Sequence, residues 1–121
     1  MQKGIRSIVI LLVVIFIISC ATTQSRYSML GQSYPPRAED CKIDIFKTGS
    51  PEKKFIKISC LDVHLEKTHF IGYSFGDALP ELKKQACKSG ADAITDVQER
   101  SSMVGDTKIY HVTATGIKYL E

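Results

Sequence analysis

The sequence predicts an α+β fold of two layers, with elements in the order strand, strand, helix, strand, strand and one helix laid on a small sheet. Three observations carry this reading. Cys41 to Phe46 and Phe55 to Leu65 alternate with the period of a strand. Between Asp77 and Gly90 the apolar residues recur at three-and-four spacing, the period of a helix. From Ala93 onward the alternation returns twice, on either side of the tight-turn pair Gly105-Asp106. A chain of 121 residues has room for one domain.

A leader stands ahead of that domain. Lys3 and Arg6 precede Ile8 to Ile18, a run without a polar side chain. As a helix the run reaches roughly 16 Å, against about 30 Å of hydrocarbon core. That is the length of a signal-peptide core and short for a permanent span. Ile17-Ile18-Ser19-Cys20 then resembles a lipobox: two aliphatic residues, a small one and a cysteine. The resemblance implies a signal peptide over 1–19, cleavage between Ser19 and Cys20, and lipidation of Cys20 by diacylglycerol and then by a further acyl chain such as palmitate. The competing reading is an uncleaved anchor with an incidental cysteine. Two or more chains hold a protein on a membrane, at about 0.8 kcal/mol per buried methylene, where one binds reversibly. Ala21 follows the cysteine where an Asp would resemble an inner-membrane retention signal. The expected location is therefore the outer membrane, facing the periplasm.

Loss of residues 1–19 removes Lys3 and Arg6 and leaves 14 basic side chains against 13 acidic ones. A balance near +1 supports neither nucleic-acid binding nor a strong field toward a membrane surface. Residues 20–39 are Thr, Gln, Ser, Arg and Gly with Pro35-Pro36 and have no apolar period. They read as a flexible, lipid-anchored tether, the alternative being that Tyr27 to Leu30 packs back on the domain. The α+β domain is then 40–121.

In the first strand Cys41, Ile43 and Ile45 point inward, and Gly49-Ser50-Pro51 ends it. The second strand changes parity: Ile56, Ile58 and Cys60 share one face, Leu61, Val63 and Leu65 the other. A bulge or bend near Cys60 follows from that switch. Asp77 can cap the helix, which would place Pro80 at the third helical position, where no intrahelical N–H bond is lost. Leu79, Leu82, Ala86 and Gly90 line its apolar face, Lys83, Lys84 and Lys88 fill the later turns, and Gly90 is the expected left-handed stop. The last two strands run from Ala93 to Met103 and from Thr107 to Leu120. In the latter, Tyr110, Val112, Ala114 and Gly116 form one face, their small members leaving space for a helix. The reverse face of Ile109, His111, Thr113, Thr115, Ile117 and Tyr119 is too apolar for a plain solvent face and is a candidate contact surface.

Three cysteines remain once Cys20 is lipidated, and an oxidising compartment favours at least one disulfide. Two pairings compete. If Phe46 and Phe55 flank a hairpin, Cys41 lies opposite Cys60; alternatively Cys87, at the edge of the helix's buried face, reaches Cys41. The longer loop restrains the unfolded chain by about 4 rather than 3 kcal/mol, a difference too small to choose between them. No Cys-x-x-Cys pair suits redox catalysis. His64, His69 and His111, with Cys60 as a fourth ligand, invite a metal reading, yet no zinc spacing is present, and His64 and His69 on one strand would point to opposite faces. No nucleophile elbow, zincin helix or phosphate loop is found, so neither an enzyme nor a cofactor is expected.

The stretch Leu79-Pro80-Glu81-Leu82-Lys83-Lys84-Gln85-Ala86-Cys87-Lys88-Ser89-Gly90-Ala91-Asp92-Ala93-Ile94 resembles a helix-to-strand signature of small bacterial envelope lipoproteins. It is similar to the superfamily that contains the Rcs-pathway outer-membrane sensor lipoprotein and its uncharacterised relatives. The resemblance spans about residues 41–119, with those sixteen residues its distinctive part. It implies a small α+β fold and disulfides tying helix to sheet, which favours Cys41–Cys87. The family sensor uses four domain cysteines in two disulfides; this domain has three, so a second bond within one chain is impossible. The expected function is a non-enzymatic, lipid-anchored protein-interaction module that contacts another envelope protein, in envelope stress sensing. Its rivals are a metal- or small-ligand-binding lipoprotein using His64, His69 or Cys60, and a purely structural envelope lipoprotein.

Overall fold

The computed structural model describes residues 21–68 and 74–120. The leader, Ser19, Cys20 and His69 lie outside the described residues. The fold is α+β, with one helix and a five-stranded sheet among the described residues. The elements are β1 (Ala21–Met29), β2 (Asp44–Ile45), β3 (Phe55–Thr68), α1 (Phe75–Ser89), β4 (Ala93–Val104) and β5 (Thr107–Tyr119). Across the sheet the strands run β1-β3-β5-β4-β2, antiparallel except for the β2–β4 pair.

Two differences from the sequence reading concern strand partners. Residues 21–29, read as tether, form β1 and pair with β3 from Ala21↔Lys67 to Met29↔Ser59. The Leu30 N–H extends this pairing to the Ile58 carbonyl at 3.0 Å. No apolar period marks the strand, because an edge strand is held by its backbone ladder more than by side-chain burial; of its residues Met29 packs partly against the core. Nor does the 41–46 segment form a hairpin with β3. Only Asp44–Ile45 is strand, parallel to Ala93–Ile94 at the opposite edge.

What carries it there is the Cys41–Cys87 disulfide, with Cα atoms 5.9 Å apart. The same stretch of chain is fastened to the end of α1. The Arg37 N–H donates to the Cys87 carbonyl at 2.7 Å, and Arg37 Nη1 donates to the Ala91 carbonyl at 2.8 Å and to Asp92 at 3.3 Å. Gly90 ends the helix in the left-handed region (φ 84°), and a Cβ there would meet the Pro35 carbonyl at 2.8 Å. Glycine is required at this position on both counts.

The helix starts earlier than the sequence indicates. Ser74, in extended conformation, is the N-cap, and Asp77 is the third helical residue, its carboxylate accepting the Ser74 N–H at 2.8 Å. Pro80 is consequently the sixth helical residue and withholds an N–H from the Gly76 carbonyl. The buried face is Ala78, Leu82, Gln85, Ala86, Cys87 and Ser89, with Leu79 half-buried. It packs on Leu61, Val63, Leu65, Tyr110, Val112 and Ala114. The bulge foreseen near Cys60 lies between Lys57 and Ser59, so that Ile58 and Leu61 both reach the core. Opposite it, Gly116 has no room for a side chain: a Cβ would strike Ser59 Oγ, itself buried and 2.9 Å from Ser89 Oγ.

Candidate functional site on the open sheet face

With α1 on one side, every second strand residue points to the other. On β3 these are Cys60, Asp62, His64 and Glu66; on β5 they are Ile109, His111, Thr113 and Thr115. Register sets them in rows. Arg26, Asp62, Thr113 and Gln98 form one row, and Gln24, His64, His111 and Arg100 the next.

His64 and His111 are therefore direct cross-strand neighbours, with ring centroids 5.8 Å apart and planes at 60°. A carboxylate engages each ring. His64 Nε2 lies 2.7 Å from Glu66 Oε1, and His111 Nε2 lies 2.6 Å from Asp62 Oδ1. Such bonds orient the imidazoles and leave a patterned set of donors and acceptors on a half-exposed surface. Beside this pair runs a groove of about 640 Å³. Arg26, Lys57, Cys60, Asp62, Asp96 and Gln98 supply its polar lining. Lys57 Nζ pairs with Asp96 Oδ2 at 3.0 Å, where β4 bulges and Asp96 adopts a positive φ of 53°.

The far end of the same face is closed by the 46–54 loop. The Thr95 hydroxyl donates to the Gly49 carbonyl at 3.1 Å, and Lys53 Nζ stands 4.8 Å above the Tyr119 ring. Tyr119 donates to Asp44 Oδ2 at 2.9 Å; burial first, then that hydrogen bond, pushes its phenol up to about 12. Ile117 is fully buried beneath this cover. Of the candidate contact surface expected on β5, Ile117 is thus internal, Ile109 is half-buried on the open face, and the other open members, His111, Thr113 and Thr115, are polar.

The cysteines and histidines fall as follows. Cys41 and Cys87 are joined, and Cys60 is a free, exposed thiol on the open face. His64 and Cys60 share that face but stand four residues apart on β3, and His111, not Cys60, is the neighbour of His64. Among the described residues no three His, Cys, Asp or Glu side chains are grouped so as to hold a metal ion. Asp62 and Gln85 escaped the sequence reading. A polar residue at an inward helical position is the available signal for Gln85; Asp62 gains its role only because the β3–β5 register sets it diagonally across from His111.

The fold defines the class: an α+β protein whose described residues form one helix on a five-stranded sheet with the other sheet face open. No family model and no curated protein matches the chain. Among solved structures it is similar to a Francisella virulence factor, FvfA, whose crystal structure in the orthorhombic form shares 14% identity at a TM-score of 0.48. That match covers 77% of this chain and 97% of the other.

Proposed function

We propose that the chain is a non-enzymatic lipoprotein of the small envelope type, held in the outer membrane by acyl chains on Cys20 and facing the periplasm. On this reading it binds another envelope protein through the open sheet face, in envelope stress sensing. The observation that carries the reading is the row of His64 and His111 with their carboxylates, half-exposed on the side of the sheet opposite α1. A surface of alternating charges and amides at strand spacing complements a folded protein surface rich in hydrogen-bonding groups; it does not suit an acyl chain. Neither histidine bonds a hydroxyl or thiol among the described residues, and the arrangement suits recognition better than acyl transfer.

A photoreactive amino acid at Thr113, introduced into the full chain in living cells, tests this. One reproducible crosslinked protein is expected, absent when the same group replaces exposed Lys83 on the outer side of α1. Indiscriminate adducts at Thr113, or none, would sink the proposal. Fatty-acid labelling of the wild type and of Cys20→Ser tests the anchor separately.

A further inference from the structure

We propose that the β4–β5 hairpin tip is a second membrane contact, with Met103 and Val104 seated in the lipid headgroup region beside the acylated Cys20. The inference rests on the lipidation of Cys20 proposed above and adds to it where the domain sits.

The strand β1 begins at Ala21, the residue after the lipobox cysteine, and pairs from that residue onward. An acyl chain on Cys20 therefore has no linker between it and the sheet. Whichever end of the sheet holds Ala21 is pressed against the bilayer. Register identifies what else is at that end. Ala21 pairs with Lys67, Lys67 with Lys108, and Lys108 with Met103. At about 4.8 Å per strand, three steps put Met103 roughly 14 Å from Ala21 across the sheet. Val104 pairs with Thr107 and Thr107 with Thr68, one row beyond the row of Ala21 and Lys67. The tip thus projects at least as far toward the membrane as the start of β1.

Its composition fits a shallow interfacial seat. Met103 is 50% and Val104 67% exposed, and Gly105 turns the chain without a side chain. Lys108 can pair with lipid phosphates, while the Asp106 carboxylate in the turn limits the depth to the headgroup layer. Leu120, 55% exposed, lies at the other end of β5 and serves as an internal control. It is equally apolar and, some 40 Å along the strand, out of reach of a bilayer at Ala21.

The test uses the full-length, lipidated protein in phosphatidylethanolamine/phosphatidylglycerol vesicles. In a Cys60→Ser background, Val104→Cys or Leu120→Cys carries an environment-sensitive fluorophore, and lipids bearing a shallow nitroxide act as quencher. The Val104 probe is expected to be quenched about 3-fold more than the Leu120 probe, with a blue-shifted emission, as befits an interfacial seat. Mass spectrometry of the same samples reports the state of Cys20. Acylated Cys20 with equal quenching at the two positions overturns this proposal and leaves the anchor reading standing; an unmodified Cys20 overturns both. Shielding of the Val104 probe in cells but not in vesicles that hold no other protein overturns the lipid as occupant, in favour of a protein.

Discussion

The amide of Gln85 acts as a strand partner supplied by a helix. Its Oε1 accepts the Asp62 N–H at 3.0 Å, and its Nε2 donates to the Asp62 carbonyl at 2.9 Å and to Ser25 Oγ. Gln85 is buried, so its loss removes a hydrogen-bond partner from both backbone groups of Asp62. At about 0.5–1.5 kcal/mol for each of the two hydrogen bonds lost at Asp62, Gln85→Leu is expected to destabilise the fold by about 1–3 kcal/mol, read as a lower urea midpoint at unchanged slope. Tyr110 and Glu99 form a second such contact, 2.5 Å between oxygens. The tyrosine hydrogen bond holds the Glu99 carboxyl below its ordinary value of 4.5, more than burial raises it, with Lys47 assisting. A depressed folded pKa contributes stability that is present above 4.5 and is lost as pH falls through the lower folded value. Tyr110→Phe is therefore expected to flatten the acid side of the stability profile below pH 4.5, measured by thermal melts across pH. Burial and the same bond push the Tyr110 phenol far above its usual range, so the wild type also loses more stability in strong alkali than the variant does.

Among the elements, β1 departs most from expectation. A flexible tether would be dispensable, whereas a strand covering the β3 edge is not. Soluble chains beginning at Ala21 and at Gly31 separate the two cases. The shorter one is expected to unfold at markedly lower denaturant and to self-associate through bare β3; equal midpoints would restore the tether. The helix, by contrast, was legible in its apolar spacing and its glycine stop, because both are local. Its start was misplaced by one turn, since Asp77 is equally good chemistry at the cap and three residues inside it. On β3 the parity switch was visible, because a bulge that keeps Ile58 and Leu61 buried must break the alternation.

At the scale of the whole molecule, the Cys41–Cys87 bond holds the N-terminal segment across the helix end and places β2 at the far edge. The two cysteines are 46 residues apart, a loop worth about 4 kcal/mol in the chain-entropy model. A Cys41→Ala/Cys87→Ala variant is expected to lose about that much in denaturant unfolding, an effect the wild type reproduces on reduction. Changing Cys60 alone is expected to leave stability within about 0.5 kcal/mol, as for other exposed positions. With one side of the sheet under α1 and one end of the other under the 46–54 loop, the open area crosses the middle of β1, β3, β5 and β4. Crosslinking there and quenching at the hairpin tip therefore probe different parts of the molecule.

The α+β class, the helix and its stop, the bulge and the closing hairpin are legible in the chain's local pattern, because each rests on residues a few positions apart. Its lipobox pattern also carries the expectation of an anchored lipoprotein. Tertiary structure alone decided which strands are neighbours, that the polar stretch before Gly31 is a strand, and that His64 stands beside His111. Strand partnership is a long-range choice. It is made by which edge is left uncovered and by where a disulfide pins the chain, and neither leaves a trace in local alternation.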